Sequence, residues 1–284
     1  TAVDLKLTVA SAQVKSALLL AGLYADGETR VTEPAPTRDH TERMLTAFGV
    51  QVGREGATAS VRGGQVLRAA RVDVPADISS AAFFLVAAAI CPGSDLVLRH
   101  VGMNPTRTGV LHVLRAMGAD ITESNPQMVG GEPVADLHVR GGRLKGITID
   151  PAWVPLAIDE FPALFIAAAC AEGVTELRGA EELRVKESDR IQVMADGLAA
   201  VGLPVTVLPD GMRIEGRGGE AHPFAGGTVE AHGDHRIAMS FTVAALRSRG
   251  PIHVRDTANV GTSFPGFVAL ARSVGLDVSV AEGA

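Results

Sequence analysis

The chain has 284 residues, of which 46% are hydrophobic, so it can bury a large core and is long enough for two domains. It contains no low-complexity run, and its glycines and prolines are spread along the chain, which excludes a disordered or collagen-like protein. A formal net charge of -6, with a single Trp and a single Tyr, disfavours nucleic acid and anionic membranes as partners.

The apolar segments and the two cysteines indicate the cellular location of the protein. The longest apolar stretches, residues 81–91 and 163–170, fall well short of the ~20 residues that span a bilayer. No basic segment followed by an apolar one opens the chain, so a signal peptide is not indicated. Cys91 and Cys170 end apolar helical stretches and are expected to be buried free thiols. We therefore expect a cytoplasmic protein with no membrane partner.

One pattern of elements recurs along the chain. In the first copy an apolar helix at residues 11–23 precedes Gly27, a strand at 29–32, and a second helix at 41–48 that stops at Gly49. The same order returns three times. The later first helices are predicted at 79–90, 161–170 and 235–246, and the later second helices at 109–117, 187–201 and 264–274. Short alternating segments after the second helices are typical of strands in half-buried sheets.

Together these elements predict an α/β protein made of repeated β-α-β-α-β-β units, with about four units present. The first helix of each unit is almost entirely apolar, which predicts that it is buried among sheets. The fourth unit stops at Ala284 without its final strands, so we interpret the chain as incomplete. The phase of the repeat predicts that residues 1–70 are the remainder of a first, substrate-binding domain and that residues 71–284 form a second domain.

Polar residues gather at the starts of the apolar helices. Ser79 and Asp159 there are explained by capping of the first turn. The cations are harder to explain, because the helix dipole disfavours positive charge at a helix start by ~0.3–1 kcal/mol each. Arg236 stands at such a start. Lys186 and Arg190, four residues apart, are expected on one face of another helix, within a turn of its start. This placement favours a bound anion over a solvated ion-pair cluster.

Four segments resemble signatures of the EPSP synthase family, and they occur in the family's order. The segment RVKESDR at 184–190 is long and idiosyncratic. SAQVKS at 11–16 is similar to the family's substrate-binding S-(S/A)-Q run, TRDHTE at 37–42 to a run that follows it in many bacterial members, and DHRIAM at 234–239 to a further motif. Ala12, where other members have Ser, resembles the bacterial class that includes glyphosate-tolerant enzymes. The family fold has two domains of three β-α-β-α-β-β units each, which accounts for the repeat.

The resemblance implies a transferase of the shikimate pathway, which leads to chorismate and the aromatic amino acids. Such an enzyme moves the enolpyruvyl group of phosphoenolpyruvate to the 5-hydroxyl of shikimate 3-phosphate and releases phosphate. By resemblance Asp159 and Glu187 are catalytic, Asp159 at the hydroxyl and Glu187 at C3 of phosphoenolpyruvate. Sequence leaves open whether these carboxylates or a lysine outside the chain moves each proton. No metal or organic cofactor is implied.

The resemblance also implies the substrate-binding residues, which contact two small molecules. Those for shikimate 3-phosphate are Ser11, Gln13, Arg38, Asp159 and Lys186. Those for phosphoenolpyruvate are Gln13, Arg190 and Arg236. We expect a monomer.

The chain departs from the family pattern at several places. Glu182 stands where some members have an Asn that touches the shikimate phosphate, and Thr262 where some have a Lys near phosphoenolpyruvate. The family's N-terminal Lys-Ser pair, the Arg that follows, and an Asn-Ala-Gly helix start with a further Arg have no counterpart. Because those groups supply positive contacts to both substrates, we expect that this chain by itself turns over little and needs a complementing N-terminal segment.

Other functions remain open at this point. The sister enzyme that transfers enolpyruvate to UDP-N-acetylglucosamine shares the repeat fold, but RVKESDR and DHRIAM favour the shikimate enzyme. A noncatalytic folded fragment is consistent with the incomplete fourth unit and would bind without turnover. A nucleotide-binding module is disfavoured because no GxxxxGK[ST] loop occurs.

Overall fold

The computed structural model describes residues 1–281, so the last three residues of the predicted second domain lie outside it. Its first repeat contains all six predicted elements in order. They are β1 (Asp4–Lys6), α1 (Ala12–Gly22), β2 (Glu28–Thr32), α2 (His40–Ala47), β3 (Val52–Glu55) and β4 (Thr58–Arg62).

The three later repeats follow the same order with small variations. The second contains α3 (Ile78–Ile90), β5 (Asp95–Gly102), α4 (Gly109–Ala116), β6 (Asp120–Val129) and β7 (Glu132–Arg140). The third contains β8 (Leu144–Lys145), a 3-10 turn (Pro151–Trp153), α5 (Phe161–Ala169), β9 (Ala171–Leu177), a 3-10 segment (Glu181–Val185), α6 (Arg190–Ala200), β10 (Thr206–Leu208) and β11 (Gly211–Arg217). The fourth contains β12 (Gly227–Glu230), α7 (His235–Ala244), a 3-10 turn (Ala245–Arg247), β13 (Ile252–Arg255), α8 (Ala258–Ser263) and α9 (Phe267–Ser273).

Sheet topology repeats together with the elements. The first sheet has the order β1-β2-β4-β3, with β1 parallel to β2 and β4 antiparallel to both of its neighbours. The third repeat has the equivalent order β8-β9-β11-β10, with the same directions. In the second repeat a parallel bridge from Ala76 to Val101 stands in place of the first strand, beside the sheet β5-β7-β6. The predicted repeat of β-α-β-α-β-β units is therefore confirmed.

The chain divides into two compact units, which we describe separately. Unit 1 consists of Thr1–Pro75, Gly102–Arg107 and Asn125–Ala135, and unit 2 contains the other described residues. Unit 1 has its core between α1, α2 and the first sheet, built from Leu19, Val31, Leu45, Val50 and Val61 among others. The predicted domain division at residue 70 stays a prediction.

Burial of the first helices differs between repeats. In unit 2 every residue of α5 is buried, as is every residue of α3 except Ser80, and these helices contact each other and α7. In α1 only Lys15, Leu19 and Gly22 are buried. The main packing partners of this helix are the strands β2 and β4. The predicted burial is thus confirmed in unit 2 and wrong for most of α1.

Two predicted helices start at the wrong residue. The helix predicted from 187 begins at Arg190, because the Asp189 side chain accepts a hydrogen bond from the Gln192 amide and so caps the helix there. The helix predicted at 264–274 begins only at Phe267. Pro265 forces the preceding residue, Phe264, into an extended conformation (φ -143°, ψ 74°), which separates α8 from α9.

Both cysteines are free thiols; Cys170 is buried and Cys91 is half-buried. Burial raises the pKa of the Cys170 thiol to about 12. Within residues 1–281, no helix has both the length and the apolar character needed to cross a bilayer.

Candidate active site

A completely buried arginine lies at the start of α6 in unit 2. Arg190 donates from Nε to Oδ2 of Asp234 at 2.8 Å, and neither residue is exposed to solvent. Asp234 in turn caps α7 by accepting from the Arg236 amide at 2.9 Å, and it accepts from the Ser188 hydroxyl at 3.1 Å. Burial alone would raise the pKa of Asp234, but the hydrogen bond and charge of Arg190 outweigh it, so the pKa is lowered. Asp234 therefore stays ionised and fixes Arg190 in one orientation.

The guanidinium of Arg190 has a further side that faces two other carboxylates. Nη2 donates to Oε2 of Glu187 at 2.6 Å. Nη1 lies 3.5 Å from Oδ1 of Asp159, and although it is buried it has no hydrogen-bond acceptor among residues 1–281. Buried donors normally have acceptors, so a guanidinium nitrogen with only an ion-pair contact has the capacity to donate to a further acceptor such as an anion.

Asp159 lies between several cations. Its carboxylate is 3.6 Å from Nζ of Lys186 and 3.5 Å from Arg190, and its backbone carbonyl accepts from Nη1 of Arg236 at 3.1 Å. Arg236 also lies 4.0 Å from the buried carboxylate of Glu160. The structure thus brings together all five site residues predicted in unit 2. We call Asp159, Lys186, Glu187, Arg190, Asp234 and Arg236 the Arg190 cluster.

The predicted helical spacing of Lys186 and Arg190 is wrong. Lys186 follows the 3-10 segment and precedes α6, so the two cations do not share one face of a helix. Lys186 instead contacts Glu182, four residues earlier, as well as Asp159. The proximity of the two cations to one carboxylate comes from the turn between the two elements.

The residues that cap α3 and α5 are not the Ser79 and Asp159 side chains for which capping was predicted. The cap of α3 is Asp77, which accepts from the Ser79 amide at 3.1 Å, while the Ser79 hydroxyl donates to Glu160. The cap position of α5 is Glu160, one residue after Asp159. Asp159 therefore does not occupy the capping position that would have explained it structurally.

Three predicted site residues belong to unit 1. Ser11 caps α1 by accepting from the Val14 amide at 3.3 Å, and its hydroxyl lies 3.4 Å from Oε1 of the exposed Gln13. Arg38 lies in the loop before α2, and its carbonyl oxygen accepts from Nζ of Lys15 at 3.0 Å. Lys15 therefore joins the helix that carries Ser11 and Gln13 to the loop that carries Arg38.

Asp39, next to Arg38, is held by three hydrogen bonds. It accepts from Arg43 at 2.9 Å, from Arg54 at 2.9 Å and from Asn104 at 2.7 Å. Burial raises its pKa, but these hydrogen bonds and charges outweigh burial and lower the pKa to about 2.

Sequence reasoning assigned no substrate or catalytic role to Lys15, Asp39 or Asp234, although it explained Asp234 as a helix cap, which the structure confirms. Each lies inside a recognised segment, SAQVKS, TRDHTE or DHRIAM, so position within the motif was the available signal. Their partners are distant in the chain, as with Arg190 and Asp234, 44 residues apart. Among residues 1–281, no group of three or more His, Cys, Asp or Glu side chains is arranged to hold a metal ion.

The family model and the most similar curated relatives that we compared with this chain name the same family. The family model described as EPSP synthase (3-phosphoshikimate 1-carboxyvinyltransferase) matches residues 1–270. A 3-phosphoshikimate 1-carboxyvinyltransferase of Methylococcus capsulatus is 65% identical over 278 residues, which cover 98% of this chain and 62% of that protein. One from Alkalilimnicola ehrlichii is also 65% identical, over 96% of this chain and 60% of its own length.

A solved structure agrees with these relatives. The EPSP synthase of Acinetobacter baumannii superposes with a TM-score of 0.96 at 59% identity, over 99% of this chain and 64% of that one. This chain therefore spans about three fifths of the length of the curated relatives that it matches. The chain belongs to the EPSP synthase family.

Proposed function

We propose that this chain carries most of the catalytic residues of an enzyme that transfers the enolpyruvyl group of phosphoenolpyruvate to the 5-hydroxyl of shikimate 3-phosphate. The observation that carries the proposal is the buried Nη1 of Arg190, which has no hydrogen-bond acceptor among the described residues and lies beside Asp159. A carboxylate or phosphate oxygen would satisfy it with a charge-assisted hydrogen bond. Lys186 and Arg236 flank the same aspartate and add positive charge.

The proposed reaction is an addition followed by an elimination. The 5-hydroxyl oxygen bonds to C2 of phosphoenolpyruvate, its proton goes to a base, and C3 gains a proton to become a methyl group. Phosphate then leaves C2 and the methyl group loses a proton, which restores the double bond. Fixed cations lower the barrier because they stabilise the charge on the two phosphates and on the leaving group.

Asp159 and Glu187 are the proposed proton carriers. Asp159 lies among three cations, and its carboxylate is the proposed acceptor of the proton of the hydroxyl. Glu187 is half-exposed and hydrogen-bonded to Arg190, so it can exchange protons with solvent while staying near the bound enolpyruvyl group. In unit 1, Ser11, Gln13 and Arg38 are proposed to bind shikimate 3-phosphate, with Gln13 also contacting phosphoenolpyruvate.

The assay is phosphate release from the two substrates. It compares this chain with a full-length hybrid in which the chain replaces the matching part of the Methylococcus capsulatus relative. We expect release by the hybrid, little release by the chain alone, and loss of about 100-fold or more in Asp159→Asn, because the base is removed. Arg213→Gln, which changes an exposed ion pair in the same unit, is the matched control.

A folded hybrid that releases no phosphate would contradict the proposal. Release with UDP-N-acetylglucosamine instead of shikimate 3-phosphate would favour the sister transferase. Measurable turnover by the chain alone would overturn the expectation that it needs a complementing segment. A monomeric state and a cytoplasmic location are proposed on composition and family alone.

A further inference from the structure

Lys15 is a completely buried cation that the proposed reaction does not use. It lies on α1, four residues after Ser11 and two after Gln13, and none of its surface is exposed. Three oxygen atoms lie within 3.0 Å of its ammonium group. They belong to the Glu33 carboxylate (3.0 Å), the Arg38 carbonyl (3.0 Å) and the Glu42 carboxylate (2.9 Å), the last as an ion pair outside hydrogen-bond geometry.

The contact with the Arg38 carbonyl is the unusual one among the three. A lysine needed only to neutralise two buried glutamates does not require a backbone acceptor in the loop before α2. Through this hydrogen bond, one ammonium group joins the first turn of α1 to the peptide group between Arg38 and Asp39. A buried hydrogen bond to a charged group is worth ~1.5–3 kcal/mol, enough to favour one loop conformation strongly.

The neighbours of Arg38 are held in place as well. Before it, the Thr37 hydroxyl donates to the Glu33 carboxylate that also pairs with Lys15. After it, Asp39 accepts from Arg43, Arg54 and Asn104. The backbone on both sides of Arg38 is thus fixed. Lys15 relates this segment to α1 at Arg38 itself, and a 2.7 Å hydrogen bond between the hydroxyls of Ser16 and Thr41 joins α1 to the following helix.

A purely stabilising role does not explain the choice of lysine. Buried ion pairs are often no more stable than well-packed apolar residues of the same volume, because desolvation offsets their attraction. Leu19, one turn further along the same helix, fills its buried position with an apolar side chain. A charged residue at position 15 therefore indicates a requirement for directed contacts.

We propose that Lys15 is a positioning residue, which sets the place of Arg38 relative to Ser11 and Gln13 through the Arg38 carbonyl oxygen. The proposal rests on the proposed function, in which these three residues bind shikimate 3-phosphate. Lys15 itself touches no substrate. Its loss alters the geometry of the binding residues rather than the chemistry at Asp159.

The test variant is Lys15→Met with Glu42→Gln in the full-length hybrid. It removes one cation and one of its two carboxylate partners, so the net charge of the buried group is unchanged. Glu42→Gln alone controls for the loss of that carboxylate. Leu19→Ala controls for general weakening of unit 1, since Leu19 is buried on the same helix and touches the same core.

The first measurement is amide hydrogen exchange without ligand. We expect the double variant to exchange about tenfold faster at residues 37 to 40, because the carbonyl hydrogen bond is lost. Leu19→Ala is expected to raise exchange across the core of unit 1 without singling out this loop. Unchanged exchange at residues 37 to 40 in the double variant would overturn the positioning role, whatever the protein binds.

The second measurement is calorimetric titration with shikimate 3-phosphate. We expect about tenfold weaker binding in the double variant and less than about a twofold change in both controls. In an Arg38→Gln background the double variant should add less than about twofold, because Lys15 acts through Arg38. Additive losses would overturn the proposal, whereas no binding by the wild-type hybrid would overturn the proposed function itself.

Discussion

The two units each bury a cation completely, and the two cations are partnered differently. Lys15 in unit 1 has three oxygen atoms within 3.0 Å of its ammonium group. Arg190 in unit 2 is held by Asp234 and Glu187, yet its Nη1 has no hydrogen-bond acceptor among residues 1–281. Two of the three contacts of Lys15 are hydrogen bonds and the third is an ion pair, all to protein atoms, so this cation organises the fold. A buried cation with a donor left over can also bind a ligand.

The surroundings of the two cations extend this difference. Lys15 is enclosed by α1, α2 and the end of β2, elements of a single repeat. Arg190 starts a helix of the third repeat and is oriented by Asp234, the cap of a helix in the fourth. The side chains of this cluster therefore converge from the ends of helices in two different repeats.

The largest expected effect is on stability, and it should be similar for both cations. Lys15→Met and Arg190→Met should each lower the free energy of unfolding by about 3–5 kcal/mol, because each leaves a buried carboxylate without its cation. Urea unfolding measures the change. Arg213→Met, which breaks an exposed pair with Glu176 at 3.4 Å, should cost less than about 1 kcal/mol. A loss of unfolding free energy below about 1 kcal/mol for either variant would contradict the expectation that both buried cations stabilise the fold to a similar extent.

A smaller effect is expected from the carboxylate beside Arg38. The pKa of Asp39 is lowered from 3.8 to about 2 in the folded protein. Because the folded value is the lower one, Asp39 stabilises the protein fully above pH ~4, and this stabilisation is lost as the pH falls towards 2. It amounts to about 2 kcal/mol.

Urea unfolding at pH 5 and pH 2.5 would measure the Asp39 contribution against Asp39→Asn, which cannot titrate. The difference in unfolding free energy between wild type and variant should shrink by most of that amount at the lower pH. If the difference stays constant, the ion network of unit 1 is looser than its geometry indicates. Asp39 would then be held less firmly by its partners than Lys15 is held by the oxygen atoms around it.

The sequence predicted the order of elements because apolar periodicity and helix-ending glycines are local signals, repeated in each unit. It singled out Lys186, Arg190 and Arg236 because cations near helix starts conflict with the helix dipole, and Asp159 and Glu187 because the motifs were recognisable. It could not predict the pairing of Arg190 with Asp234, since the partners meet only when two repeats pack together.

Local chemistry that competes with periodicity caused the errors in helix bounds. Asp189 caps α6 three residues later than the apolar pattern suggested, and Pro265 divides the last helix. The exposed apolar face of α1, including Val14 at 47% and Leu20 at 46% exposure, was also not predictable. Composition specifies that a helix is apolar but not which other elements are present to cover it.

The smallest effect concerns Ser11, at the start of the helix that carries Lys15. Its side chain caps α1, so Ser11→Ala should cost about 1 kcal/mol of unfolding free energy, whereas Ser11→Gly should cost only a few tenths. If the hydroxyl also binds shikimate 3-phosphate, both variants should weaken binding to the full-length hybrid equally despite their different stabilities. If binding instead follows stability, so that glycine retains the wild-type affinity, Ser11 is a cap only. In that case Lys15 would relate Arg38 to Gln13 alone.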